Sequence, residues 1–545
     1  MPDINYLLEN SNIPEKDDAL HDPGSLAPRF GPDRRIGEPK NYKRTSGNPF
    51  SSRGLLNAGA LVIILLALIG IFGAYPIIDN IVQATAQLSF VNATGQVPEI
   101  QGYRGLIDKD TPENVLKRTG LDGHEYSLVF SDEFEQDGRT FWPGDDPYWT
   151  AVDTHYYPTN NLEWYDPRGA TTGGGSLLLN MTRQDPRTNH GFNFSSGMIQ
   201  SWNQFCFTGG YIEVAVNLPG SPSVTGFWPG AWTMGNLGRA GFGATNEGVW
   251  PYSYDACDVG ALPNQTNPQG TGPEAALEPA SEWDTSLSYL PGQKLSACTC
   301  KGEDHPGPWL DDEDRYRGRA APEIDILVEE DDETGTLHGT VSMSAQFAPY
   351  DAKFQWNNVT PEGYEIWPEN YDSHLNPYRG GIFQQAVSAL PSTDQLSYEL
   401  LDPTRFQTYG FEYQPSMYGN GFITWVQGGD PIWTLKDAGM QANNLTMVSQ
   451  RPISNEPMYA ILNFGMSENF GTVDLENLNF PAIMRVDYIR IYQRSDQINI
   501  GCDPPGYPTT EYIDRHIEAY TNSNLTVWAD YTDSGFPKNK LLEDC

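Results

Sequence analysis

From Tyr126 to Gln493 the chain repeats one pattern. Short aromatic and β-branched runs such as YSLVF, GGYIEVAVNL, GFITWVQ and MRVDYIRIYQ are separated by clusters of Gly, Pro, Asn and Asp, and no long helical period intervenes. Such residues suit a pleated, half-buried surface, and closely spaced turn residues cut that surface into short strands. The pattern predicts an all-β sandwich or barrel. Within it, residues 235–319 carry Cys257, Cys298, Cys300, many Pro and Gly, and the acidic run DDED at 311–314. That stretch reads as a long loop inserted between strands and stapled by disulfides.

A second feature sets the compartment. Leu55 to Gly73 runs nineteen residues without a charge, close to the roughly 20 that cross a bilayer. A polar segment precedes it, which argues against a cleaved signal peptide. Arg29, Arg34, Arg35, Lys40, Lys43, Arg44 and Arg53 lie before the run and no Lys or Arg follows until Arg104, so the positive-inside bias predicts a type II anchor. The expected division is a disordered cytosolic tail at 1–53, a transmembrane helix at 54–75, and a lumenal stem at 76–120 with a short helix within Leu106–Thr119. The sandwich follows at 121–500 and a C-terminal extension at 501–545.

Cysteines and sequons agree with that orientation. Cys206, Cys257, Cys298, Cys300, Cys502 and Cys545 all follow the span, an even number suited to disulfides in an oxidising lumen. Cys298 and Cys300 are too close to pair with each other, and sequence leaves the pairing open; Cys502 with Cys545 is the expected clasp of the extension. A zinc site would need companion ligands that the C-x-C spacing lacks. The sequons at Asn92, Asn180, Asn193, Asn264, Asn358, Asn444 and Asn524 likewise all lie beyond the span, as glycosylation in the lumen requires.

Charge and composition bound the partners. A net charge of −38 and a pI near 4.4 exclude nucleic acid, whose backbone is bound by Lys and Arg displacing counterions. Aromatic residues make up 12% of the chain, which supplies platforms for sugar rings as well as a β-sheet core.

The segment APEIDILVEE at 321–330 carries the chemistry. On a strand, Glu323 and Asp325 point to one face with Ile324 and Ile326 behind them. Retaining glycoside hydrolysis needs two carboxyls about 5 to 5.5 Å apart, one a nucleophile and one a proton donor. A strand supplies them as E-x-D-x-E, or as E-x-D-x-x-E where a bulge adds a residue; the central Asp helps separate the two pKa values. No cofactor or metal is needed. The acidic run at 329–333 lacks the Gly-centred spacing of an EF-hand, and a solvated acidic turn is the plainer account of it.

EIDILVEE resembles the active-site strand of glycoside hydrolase family 16, a β-jelly-roll family acting on β-glucans. VFSDEF (129–134), NNLEWY (160–165), GFWPGAWTMG (226–235), ILNFGM (461–466) and FPAIMRVDYIRIYQ (480–493) resemble that family's other segments in order. A narrower resemblance is carried by NHGFNFSSGMIQSWNQFCFTGGYIEV (189–214), WTMGNLGRAGFGATNEGVWPYSYDACDVG (232–260) and GCDPPGYPTTEY (501–512). These are similar to fungal membrane proteins associated with β-1,6-glucan synthesis. The resemblance implies a concanavalin-like jelly roll and a protein of the endoplasmic reticulum, Golgi or plasma membrane. It further implies a glucanase- or transglycosylase-like lumenal domain that takes β-glucan and works beside cell-wall synthesis or secretory-pathway proteins. It makes Glu323 the nucleophile and Asp325 its helper, and places Asn161 and Glu163 against substrate. Trp228 and Trp232, evenly spaced on one strand face, are candidate stacking platforms. His338 reads as structural.

The pattern departs at the acid. Leu327 stands at i+4 and Val328 at i+5 from Glu323; the next carboxylate is Glu329, at i+6, about 20 Å away on a regular strand. Two bulged residues would bring Glu329 into range as the acid/base. The alternatives are a carboxylate from another loop, or a site that binds glucan without cleaving it.

Overall fold

The computed structural model describes residues 105–242, 253, 255–257, 269–277, 295–330, 338–347, 355–380, 385–531 and 537–545. The tail, the predicted anchor, most of the stem, Asn92 and Asn264 lie outside them. Among the described residues no helix is long and apolar enough to cross a membrane.

Two mainly antiparallel sheets pack face to face in the expected jelly-roll-like, all-β sandwich. The sheet that carries the candidate site has eight strands among the described residues. Its centre is formed by β1 (Phe227–Gly235), β2 (Glu323–Glu330), β3 (Thr340–Phe347) and β4 (Met458–Met466), in the spatial order β3-β2-β1-β4. The facing sheet is built around Gly210–Asn217, Gln407–Gln414, Phe422–Gln427, Asp430–Lys436 and Ala482–Arg494. Alternation sorts the side chains: Ile324, Val341, Met343, Ala345, Leu462 and Phe464 enter the core between the sheets, and their strand neighbours face the other way. Trp425 and Trp433 of the facing sheet stack in that core, with ring centroids 4.4 Å apart and planes 1° from parallel.

One irregularity positions the site. Opposite β1, Trp232 pairs with Asp325 but Ala231 pairs with Leu327, so β2 carries one extra residue. The ladder to β3 shifts at the same place, between Ile324 and Val328. This is a β-bulge, and it puts Ile326 and Leu327 both into the core. The face of every later residue is thereby reversed. The Asp325 carbonyl, at the interrupted ladder, accepts a 2.7 Å hydrogen bond from Trp425 Nε1, and the Met343 carbonyl accepts from Trp433 Nε1 at 3.0 Å.

The short helix expected within 106–119 is the 3-10 helix Glu113–Val115, followed by the strand Lys117–Thr119 paired with Glu125–Asp132. The bonded cysteines are Cys206–Cys502, Cys257–Cys298 and Cys300–Cys545. The expected Cys502–Cys545 clasp is therefore corrected. After the last long strand the chain crosses the Cys206 loop, where Gly501 N–H donates to the Cys206 carbonyl at 2.8 Å, and this holds Cys502 there while Cys545 reaches the insertion. The extension and the insertion also meet at Arg319, buried, which pairs with Glu456 at 2.9 Å and donates to the Pro508 carbonyl.

Candidate active site

The site lies on the outer face of the eight-stranded sheet, where ladder register sets each position. Met234 stands opposite Glu323, Trp232 opposite Asp325, and Gly230 opposite Val328. On the other side, Gln346 stands opposite Glu323 and Ser342 opposite Val328. Gly230 is required here: a Cβ would come within 2.6 Å of Asn463 Oδ1.

Asp325 is only 2% exposed. Ser344 Oγ donates to its Oδ2 at 2.6 Å and Gln346 Nε2 donates to the same oxygen at 2.8 Å. Glu323 stands two residues before it on the same strand face. Burial pushes the Asp325 carboxyl up to about 6, against the pull of these bonds. Glu323 itself is partly open. Burial, and then the negative charge of Glu323, raise the Tyr156 hydroxyl well above its ordinary value. A buried carboxyl that holds its proton more tightly than usual thus stands beside a half-open one, an arrangement that suits a helper and a nucleophile.

The predicted acid is not at the position that shares this face. With one extra residue in β2, that position is Val328, not Glu329. Residue 329 pairs with Val341, whose side chain is in the core; the side chain of Glu329 lies outside the described residues.

Trp228 and Trp232 share the face of Asp325 but are covered, at 9% and 5% exposure. Trp228 stacks on Phe470 with centroids 4.1 Å apart, and Trp232 Nε1 donates to Asn463 Oδ1 at 2.8 Å. Asn161 and Glu163 are buried in one polar network. Asn161 Nδ2 donates to Glu163 Oε1 at 2.6 Å, Met466 N–H donates to Oε2 at 3.1 Å, and Asn463 Nδ2 donates to the Tyr165 hydroxyl at 3.0 Å. Burial pushes the Glu163 carboxyl up to about 8. Asn193, Asn444 and Asn524 are exposed, Asn180 and Asn358 half-buried, and His338 exposed.

Several of these residues went unremarked in the sequence: Ser344, Gln346, Tyr156 and Asn463. The first two had a signal. In TVSMSAQF polar residues alternate with core residues directly after the carboxylate strand, which marks a polar face next to Asp325.

A family model described as "Beta-glucan synthesis-associated protein SKN1/KRE6/Sbg1" matches residues 7–545. The chain belongs to this family. It is 42% identical over 537 residues to beta-glucan synthesis-associated protein KRE6 of Saccharomyces cerevisiae, covering 97% of this chain and 69% of that one. Beta-glucan synthesis-associated protein SKN1 of Candida albicans is also 42% identical, over 97% of this chain and 66% of its own length. Among solved structures, the laminarinase catalytic domain of Thermotoga maritima aligns over 68% of this chain and 98% of its own at 16% identity, with a TM-score of 0.37. The SKN1/KRE6/Sbg1 match includes β1 to β4 and both cysteine-bearing appendages.

Proposed function

We propose that this chain is a membrane-anchored, glucanase- or transglycosylase-like protein of fungal cell-wall β-1,6-glucan biosynthesis. It takes β-glucan at the Glu323–Asp325 face, which is lumenal in a type II orientation through the anchor at 54–75. Glu323 attacks the anomeric carbon as the glycosidic C–O bond breaks, Asp325 orients the attacking oxygen, and the leaving oxygen takes its proton from a carboxyl on another loop; an acceptor sugar or water, giving a proton back to that carboxyl, then displaces Glu323. The observation that supports this reading is Glu323 and Asp325 on one strand face, with Asp325 buried and held by Ser344 and Gln346.

A second reading is favoured by one observation, Val328 at the register position where a second carboxyl belongs. It is a non-catalytic β-glucan-binding scaffold for wall assembly. Incubating the purified full chain with β-gluco-oligosaccharides separates the two. Turnover lost in Glu323→Gln supports the enzyme; equal binding by both forms with no product supports the scaffold; no binding by either removes both.

A further inference from the structure

Among the described residues, the outer face of β1 to β4 is nearly closed. Beyond Trp232, its β4 side is roofed by the C-terminal extension: Tyr512, Ile513 and Tyr520 pack in one cluster with Trp232, Met234 and Ile461. The roof is fastened at several points. Cys502 is bonded to Cys206, Asn236 Nδ2 donates to Thr509 Oγ1 at 2.9 Å, the Tyr520 hydroxyl donates to the Leu237 carbonyl at 3.0 Å, and Arg239 Nη1 donates to the Leu525 carbonyl at 3.0 Å. Toward the other end of β4, Phe470 covers Trp228, and the Asn161–Glu163–Tyr165 network sits over Gly465, where a Cβ would come within 3.0 Å of Asn161 Nδ2 and of the Tyr165 hydroxyl. On the β3 side Ser342 and Ser344 are buried as well. Among the described residues of β1 to β4 on this face, partial exposure remains only at Glu323, Val328 and Gln346.

A polysaccharide bound through its interior needs a groove open at both ends, because the chain must enter and leave. A recess stopped on one side admits only a terminus. We infer that this site recognises a free end of a β-glucan chain and excludes its interior, the C-terminal extension acting as the stop. This deepens the proposed function and rests on glucan binding at the Glu323 face.

The test compares a linear β-1,3/1,6-gluco-oligosaccharide with a cyclic β-1,3/1,6-glucan of matched length, which has no ends. Each is titrated calorimetrically into the purified full chain in detergent. The expected result is binding of the linear ligand and at least about tenfold weaker binding of the cyclic one. Equal affinities would overturn end recognition while leaving glucan binding intact. Absence of binding by either would overturn the proposed function, and this inference with it.

Discussion

Across the sandwich, the indole N–H of Trp425 donates to the carbonyl oxygen of Asp325 at 2.7 Å. The bulge takes that carbonyl out of the regular ladder, and the facing sheet supplies the missing donor. Trp425→Phe keeps the ring but strands a buried acceptor, at a cost of about 1–3 kcal/mol. Trp433→Phe removes the equivalent bond to Met343, at a similar cost and away from the carboxyl pair. Urea denaturation is expected to show both losses, with glucan affinity falling only in Trp425→Phe. Equal affinity in the two variants would mean that the bulge does not set the carboxyl geometry.

Val328 offers a gain-of-function test. Four strand steps and one bulge separate it from Glu323, the E-x-D-x-x-E spacing at which a second carboxyl can lean toward the first. Val328→Glu is expected to raise turnover of unactivated β-gluco-oligosaccharides, by roughly 10²-fold or more for a competent general acid. Turnover of a β-glucosyl fluoride should not change, since fluoride leaves without a proton. Val328→Gln is the control that adds length without a proton donor. If Glu and Gln behave alike, the 328 position is not aimed at the glycosidic oxygen.

Much of this was legible in the residues, and what was not has a common cause. Period-two alternation is local, so the sandwich, the shared face of Glu323 and Asp325, and the even spacing of Trp228 and Trp232 could all be read directly. The bulge could not, because Ile326 and Leu327 are both ordinary core residues and only the partner strands reveal that one of them is extra. Coverage was equally hidden. Trp228 is covered by Phe470 and Trp232 by Tyr512 and Tyr520, residues more than two hundred positions away. The same distance defeats prediction of the Cys206–Cys502 bond, whose partners are 296 residues apart.

Glu163 should make stability fall as pH rises. Its folded pKa, about 8, lies above the ordinary 4.5 because burial disfavours the charge. The uncharged carboxyl therefore contributes fully below about pH 4.5, and that contribution is lost as pH rises through about 8. The total is on the order of a few kcal/mol. Glu163→Gln keeps the shape and cannot ionise. Denaturation midpoints measured across this window should decline less steeply in Glu163→Gln than in the wild type, and parallel curves would show that Glu163 titrates as an ordinary carboxyl.

The junction between insertion, sandwich and extension depends on one buried ion pair. Arg319 donates to Glu456 at 2.9 Å, while the other Glu456 oxygen accepts from Ala320 N–H at 2.7 Å and Ala321 N–H at 3.0 Å, directly before β2 begins. Arg319 also donates to carbonyls of Pro306 and Pro508, so its charge is shared among three segments. Glu456→Gln retains most of the shape but leaves a guanidinium buried without its counter-charge, a loss of roughly 3–5 kcal/mol. Arg319→Met with Glu456→Gln removes both charges and should recover a large part of it. Because Ala321 leads into Glu323, the single variant is also expected to weaken glucan binding, and the double variant to restore it in step with stability. Restored stability without restored binding would show that the pair positions the carboxylate strand through its charges and not merely by filling space.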